Sequence, residues 1–352
     1  MITIGCDAHL KTSTMTVLNH DGKKLMSTKL ENDPYALLEF VRQFAGPKQF
    51  AIETNYNWPV YYDLLNPEVD EFHLLHAKKL KSIIQSQSKC DKKDADEIAH
   101  LTHLGYIPKS HTANALTRQF RRLSRNRIKT AQRITAIRNQ IHAILNANIF
   151  YSEKPTSFKN LFCQRGLLYL QGARLPQHER FMVDCLLEQM NFLNKIKETL
   201  EGYIQQISFS SAQMDLLQSV PAMKGKVLNY TVLGEIDGIE HFRNSDTLVA
   251  YAGLIPRDKS SGQKLRKGKL KTECNEYLKW AMLEAVFPAI RKDRGLRDYY
   301  FEVKKRKNAS AARIAVARKL LKTIYHVLKE QRPYYAFTVK ETNLDTQSVS
   351  RR

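Results

Sequence analysis

From Ala115 to Ala147 an apolar stripe recurs at helical spacing through Leu116, Phe120, Leu123, Ile134, Ile137, Ile141 and Leu145. A pattern of that period sustained for that length commits the segment to one long helix. Residues 178–208 make a second long amphipathic helix. Two such helices ordinarily pack antiparallel, as a coiled-coil arm or a dimer-forming stalk, although a strict heptad is not sustained here. This arm divides the chain, because the patterns before it and after it differ from it and from each other.

Before the arm, short strand and helix patterns alternate. ITIGCDAH is a β-rich run, TSTMTVLN alternates apolar and polar residues, and Asp21-Gly22 supplies a hairpin turn before KKLMSTKLE. Three antiparallel strands are therefore expected at the start. Asp33-Pro34 opens a helix in which Leu37, Leu38, Val41 and Phe44 recur at helical spacing. QFAIET reads as a buried strand, NWPVYYDLL as a short helix and EFHLLHA as another strand, and a last helix begins in KCDKKDADEIAHL. The order βββαβαβα is that of the ribonuclease-H-like, or RuvC-like, fold. After Ser211 the chain is compact and mainly helical, with a turn-rich centre, YAGLIPRDKSSGQKLRKGKLKTECNEYL, and a basic helix from Ala309 to Gln331. The expected domains are 1–110, 111–210 and 211–340, with a disordered polar tail over 341–352.

Charge narrows the partner. The 352 residues carry 56 Lys+Arg against 35 Asp+Glu, a formal net charge of +21, and so basic a surface points to a polyanion. No apolar run approaches the roughly 20 residues that span a bilayer, and the N-terminus lacks the basic and apolar regions of a secretory signal. Nucleic acid is favoured over anionic membrane. Cys6, Cys90, Cys163, Cys185 and Cys274 are scattered and never paired as C-x-x-C. That argues against a disulfide framework or a structural zinc site and fits a reducing cytosol.

Against this background, Asp91, Asp94, Asp96 and Glu97 fall within seven positions. Asp91 and Asp94 share a helix face, and Asp96 points roughly opposite to Asp94. Acids in a first turn also complement the helix dipole, and Asp91 is a possible N-cap. Asp7 and Glu53 tip the balance, since acids in apolar strands are costly to bury without a partner. In the βββαβαβα order the first and fourth strands lie side by side and the last helix crosses their ends, so Asp7, Glu53, Asp91 and Asp94 converge. Such a group calls for hard cations; two Mg²⁺ about 3.5–4 Å apart clamping a phosphodiester would suit it.

Asp7, Glu53 and K-C-D-K-K-D-A resemble the DEDD catalytic set of the Piv/MooV-like transposases, the insertion-sequence family numbered one hundred and ten, also called bridge recombinases. The similarity extends through FRNSDTLVAYAGLIPRDKSSGQK and, more weakly, AARIAVARKLLKTIYHVL, covering nearly the whole chain. Two departures stand out: VPAMKGKV has Ala222 and only Gly225 where the family carries a Pro-Gly-rich hairpin, and Cys274 replaces a glycine in K-T-E-C-N. The resemblance implies a transposase that cuts and rejoins donor and target DNA with Mg²⁺ on Asp7, Glu53, Asp91 and Asp94. It also implies dimers pairing into a tetramer, and a structured bridge RNA that chooses the DNA sites.

RDKSSGQKLRKG sets Ser260 and Ser261 among Arg257, Lys259, Lys264, Arg266 and Lys267. A solvated turn with capping serines is one account; a hydroxyl among cations placed to attack or hold phosphate is the other. The resemblance makes one of these serines a nucleophile that forms a phosphoserine link to DNA, with a slight lean to Ser260. On the arm, Arg118, Arg121, Arg122, Arg125 and Lys129 are expected to meet phosphate. His100 and His103 read as surface or packing histidines, His9 as a strand-end residue near the acids, and Tyr56 and Trp58 as packing residues or base stackers. Two other readings stay open: a metal-and-water nuclease or junction resolvase, and a non-enzymatic nucleic-acid scaffold.

Overall fold

The computed structural model describes residues 1–83, 91–148, 160–207, 211–261, 264–270 and 273–334; at 91, 92, 211, 226, 257–261 and 264–270 only the backbone is described. The expected tail, 341–352, and Cys90 lie outside the described residues. By its contacts the chain forms two compact units, Met1–Ala113 and Asn114–Arg352.

The first unit is a five-stranded sheet with helices on both faces. β1 (Ile2–Ala8), β2 (Thr12–Leu18) and β3 (Lys24–Glu31) are successive antiparallel strands, while β4 (Lys48–Glu53) and β5 (Glu71–Leu75) run parallel to β1. The order across the sheet is β3-β2-β1-β4-β5. Helix α1 (Pro34–Arg42) starts where sequence chemistry puts it: Asp33 accepts from the Ala36 amide at 2.9 Å and Pro34 fills the first turn. Its Leu37, Phe40 and Val41 join Ile4, Cys6, Phe50 and Ile52 in a core that also takes Tyr61 and Leu65 of α2 (Trp58–Leu65). On the opposite face Ala51, Leu75 and Leu80 of α3 (Ala77–Ile83) meet Ile98 of α4 (Asp91–His103).

Gly5 permits that second layer. A Cβ there would stand 2.4 Å from the Ala99 nitrogen and 2.6 Å from the Ala95 carbonyl oxygen. Backbone atoms cannot yield by that much, so α4 reaches β1 only because residue 5 has no side chain.

The second unit is helical apart from one hairpin. The arm consists of α5 (Ala115–Ala147) and α7 (Gln177–Gln206), with α6 (Gln164–Gln171) between them in sequence. Arg127 pairs with Glu201 at 2.5 Å and Asn148 donates to Glu179, so early residues of α5 meet late ones of α7 and the pair is antiparallel. Ile134, Ile137, Ile141 and Leu145 pack on Val183, Leu187 and Met190. The remainder comprises α8 (Ser211–Ser219), α9 (Lys226–Ile236), α10 (Ser245–Tyr251), α11 (Glu276–Lys292), α12 (Arg294–Arg306) and α13 (Ala309–Glu330). Val232, Met282, Val286, Val316, Leu320 and Ile324 share its core. The centre expected as turns instead contains β6 (Pro256–Ser261) and β7 (Lys264–Leu270), an antiparallel pair. Its Lys- and Arg-rich strands lack the apolar alternation by which a strand is recognised, so the sequence pattern concealed them. No helix of the described residues is long and apolar enough to cross a membrane.

Candidate active site

Strand register brings the first two acids together. Cys6 of β1 pairs with Ile52 of β4, so Asp7 and Glu53 occupy the next position along two parallel neighbours. Side chains alternate across a strand. Ile4, Cys6, Phe50 and Ile52 face the α1 layer, which leaves Asp7 and Glu53, with Gly5 and Ala51, on the α4 side. Their side chains are 15% and 26% exposed, so both sit in a rim rather than in the core.

Asp94 of α4 joins them electrostatically. The Glu53 carboxyl is held above its ordinary range, first by burial and further by the charges of Asp7 and Asp94, against the pull of Lys81. Lys81 Nζ stands 4.0 Å from Glu53, and His9 Nε2 is 3.1 Å from Asp7. Among the described residues no three His, Cys, Asp or Glu side chains form a closed metal-binding group. The Asp91 side chain is outside the described residues; its backbone opens α4 one helical turn before Asp94. In chemical type the set suits a hard divalent ion: oxygen donors, partly buried, with charges that repel until a cation separates them.

Asp96 has a different task. It takes both oxygens to Lys24 Nζ, at 2.6 and 2.7 Å, and accepts from Thr16 Oγ1 at 2.5 Å. Burial works against its charge, but these hydrogen bonds win and hold the carboxyl below its usual range. It fastens α4 to β2 and β3. His100 is likewise occupied locally, its Nδ1 2.8 Å from the Asp96 carbonyl oxygen, and the His103 ring lies against Gly22.

In the second unit, Ser260 and Ser261 end β6, opposite Leu265 and Lys264. Their side chains, and those of Arg257, Lys259, Lys264, Arg266 and Lys267, are outside the described residues. Register alone separates the two serines. Ser261 shares strand parity with Lys259 and pairs with Lys264, while Lys259 pairs with Arg266; Ser260 shares parity with Asp258, which pairs with Lys267. One ladder position is wholly cationic and the other mixed.

The foot of this hairpin is held by residues that sequence reasoning passed over. Asn275, just after it, donates to Glu235 at 2.7 Å and to the Tyr251 hydroxyl at 2.9 Å, and its amide donates to the Tyr251 carbonyl at 2.7 Å. Just before it, Arg318 of α13 donates twice to the Leu254 carbonyl, at 3.0 and 2.7 Å. Glu235 is fully buried and also receives a bidentate pair of bonds from Arg125, at 2.8 and 2.7 Å. Arg121 donates to the Gly234 carbonyl at 2.6 Å. Arg121 and Arg125 therefore each commit Nε and Nη2 to bonds inside the unit and have a structural role there. Arg122 and Lys129 are exposed and Arg118 is half-buried. The one available signal was Glu235 itself, an acid in the apolar helix KVLNYTVLGEI.

Comparison with known proteins places these features. Residues 4–149 match the family DEDD_Tnp_IS110, described as transposase, and residues 214–301 match the family described as Transposase IS116/IS110/IS902. The first contains all four acids and the second contains the serine hairpin with its foot. The chain is also 21% identical, over 274 residues, to the transposase for insertion sequence element IS1111A of Coxiella burnetii, an alignment that takes in 74% of this chain and 72% of that one. The two matches and the relative agree on the kind of protein: the chain is similar to insertion-sequence transposases of the IS110 family, and DNA transposition is the activity that this similarity supports.

Proposed function

We propose that the protein moves its insertion sequence by serine-mediated strand exchange at a carboxylate-held metal centre, directed by a structured RNA. The observation that carries the first part is the placement of Asp7 and Glu53 one position beyond the Cys6–Ile52 pair on adjacent parallel strands, with the charge of Asp94 felt at Glu53. Asp7, Glu53, Asp91 and Asp94 would hold Mg²⁺, and the ions when bound would supply positive charge against the scissile phosphate. His9, 3.1 Å from Asp7, orients that carboxylate, and Lys81, 4.0 Å from Glu53, partly neutralises the other.

The serine hydroxyl attacks phosphorus in this reading. A bond from Oγ to phosphorus forms, the bond from phosphorus to the leaving nucleoside oxygen breaks, and the serine proton ends on that oxygen. Rejoining is the same exchange reversed, with a hydroxyl from another strand. Energy stays in the phosphoserine ester, so no nucleotide cofactor is required. Ser261 is the first of the two to test, because strand register pairs it with Lys264 whereas Ser260 pairs with Leu265, and a nearby cation would offset the negative charge that builds on a phosphodiester as Oγ attacks. The buried Glu235–Asn275–Tyr251 group and Arg318 keep the hairpin foot in place. Guide pairing would supply sequence choice, as developed in the Discussion.

A denaturing gel of end-labelled DNA after reaction tests the serine step. Wild-type protein should carry label that survives denaturant and disappears on protease treatment. Ser260→Ala/Ser261→Ala should bind DNA normally, since exposed serine substitutions alter stability by under about 0.5 kcal/mol, yet form no adduct. Cleavage and rejoining by the double variant would make water the nucleophile and the protein a metal-dependent nuclease.

A further inference from the structure

The loop after Glu53 is fixed at each of its residues but one. The Thr54 amide donates to the Leu75 carbonyl at 2.9 Å, and its hydroxyl accepts from the Ala77 amide at 3.2 Å. Asn55 donates to the Ala8 carbonyl at 2.8 Å and accepts from the Asn57 amide at 3.0 Å. Asn57 donates to the His9 carbonyl at 3.2 Å. Trp58 then begins α2 and packs with the core. Between two asparagines that both turn inward to the end of β1, Tyr56 is turned out and is 102% exposed.

The loop it faces repeats the oddity. His9, Leu10 and Lys11 form the turn between β1 and β2, and Leu10 is 82% exposed. Lone exposed apolar side chains are ordinary on protein surfaces. These two differ because hydrogen bonds from Asn55 and Asn57 join their loops and hold in place the backbone that carries both side chains. The joined loops follow directly on Asp7 and Glu53. The result is an exposed aromatic ring and an exposed aliphatic side chain on two tied loops that leave the carboxylate-bearing ends of β1 and β4, with the exposed cation Lys11 next to Leu10 in sequence.

We infer that Tyr56 and Leu10 receive an unpaired nucleobase of the DNA strand engaged at the carboxylate edge, Tyr56 by stacking and Leu10 by filling the gap that the base leaves. This rests on the reading of that edge as the catalytic centre. A transposase must bring a phosphodiester out of a regular duplex to a recessed pair of acids, and a base released from its stack needs a surface to replace its lost neighbours. An aromatic ring serves every base, because each has a π-face, so the contact holds the strand without choosing sequence. A flat aromatic with no groove around it suits a base better than a folded protein, which would need a larger apolar area.

The test uses full-length protein without divalent metal, so that nothing is cleaved. Single-stranded DNA carrying 5-iodouracil is irradiated in the complex and the crosslinked peptide is mapped. The crosslink is expected at Tyr56, lost in Tyr56→Ala and kept in Tyr56→Trp. Tyr56→Ala should weaken binding of a duplex with an unpaired base by about tenfold relative to the perfect duplex. Crosslinks only at other aromatics, or equal weakening for both duplexes, would overturn the inference. The underlying reading fails separately: if Asp94→Asn still cleaves DNA while the Tyr56 crosslink persists, the base site stands and the catalytic assignment falls.

Discussion

Asp94 and Asp96 lie two residues apart on one helix and do different work. Asp94 bears on Glu53, whereas Asp96 is tied to Lys24 and Thr16. Asp94→Asn should therefore abolish strand cleavage and leave DNA binding within about twofold, since binding is shared among many cations. Asp96→Asn should retain the chemistry and lower the melting temperature instead; equal loss of cleavage from both would show that the helix, not the carboxylate, matters. Glu53 yields a pH prediction with a definite sign. Its carboxyl is raised in the fold, so the folded state holds the proton more tightly than the unfolded one. Stability from this group is present at low pH and declines as pH rises from the ordinary carboxylate range through the raised value. Without divalent ions, Glu53→Gln should then melt higher than wild type at pH 8, by a margin that narrows toward pH 5. A margin independent of pH would mean that the carboxylate is not under strain.

At the scale of elements, the Arg125–Glu235 pair joins α5 to α9 and, through Asn275, to the hairpin foot. Removing one member of a buried pair strands the other, at about 3–5 kcal/mol. Arg125→Ala, which strands the fully buried Glu235, should cost about that much in denaturant unfolding; Glu235→Ala, which leaves an arginine that water reaches, should cost less, and the double variant less than the sum of the two. Additive losses would show that the two side chains are not coupled. The pair also shows a role of these arginines that was not legible in the sequence. A run of cations on an amphipathic helix looks the same whether it faces solvent or a partner, and the acid that engages Arg125 lies 110 residues away. The hairpin was hidden for a related reason: the groups that hold the backbone at its foot, Arg318 and Asn275, lie outside its strands. By contrast β1 to β5, α1 and both arm helices were legible, because alternation, the Asp33-Pro34 start and the long 3.6-residue stripe are local signals. Asp7 and Glu53 were legible because an acid in an apolar strand is conspicuous on its own; the long-range partners of the remaining groups were not.

For the whole molecule, the decisive quantity is the net charge of +21 and the form in which it is carried. Lys and Arg contacts to phosphate give affinity that falls steeply with salt and carry no sequence information. Reading bases in a duplex takes an element that fills a groove. The described helices offer no obvious candidate. The long α5 is covered along one side by α7, and two of its arginines are engaged with the α9 segment. Yet an insertion sequence that moves by cutting and rejoining must find its sites. Under the proposed function a guide strand would resolve this: pairing would read the bases, while the protein would grip the heteroduplex through its backbone and shape. Protein purified from its host should accordingly carry one discrete structured RNA, visible as a single band after phenol extraction. Stripped of it, the protein should bind any DNA, and affinity should drop about 10³- to 10⁵-fold between 50 and 200 mM salt if some six to ten phosphates are contacted. Site-selective recombination should return when that RNA is restored and not with an RNA of scrambled sequence. If RNA-free protein recombined at the proper site, sequence would have to be read by the chain itself, and exposed cations such as Arg122 and Lys129 would be the first positions to test for base contacts.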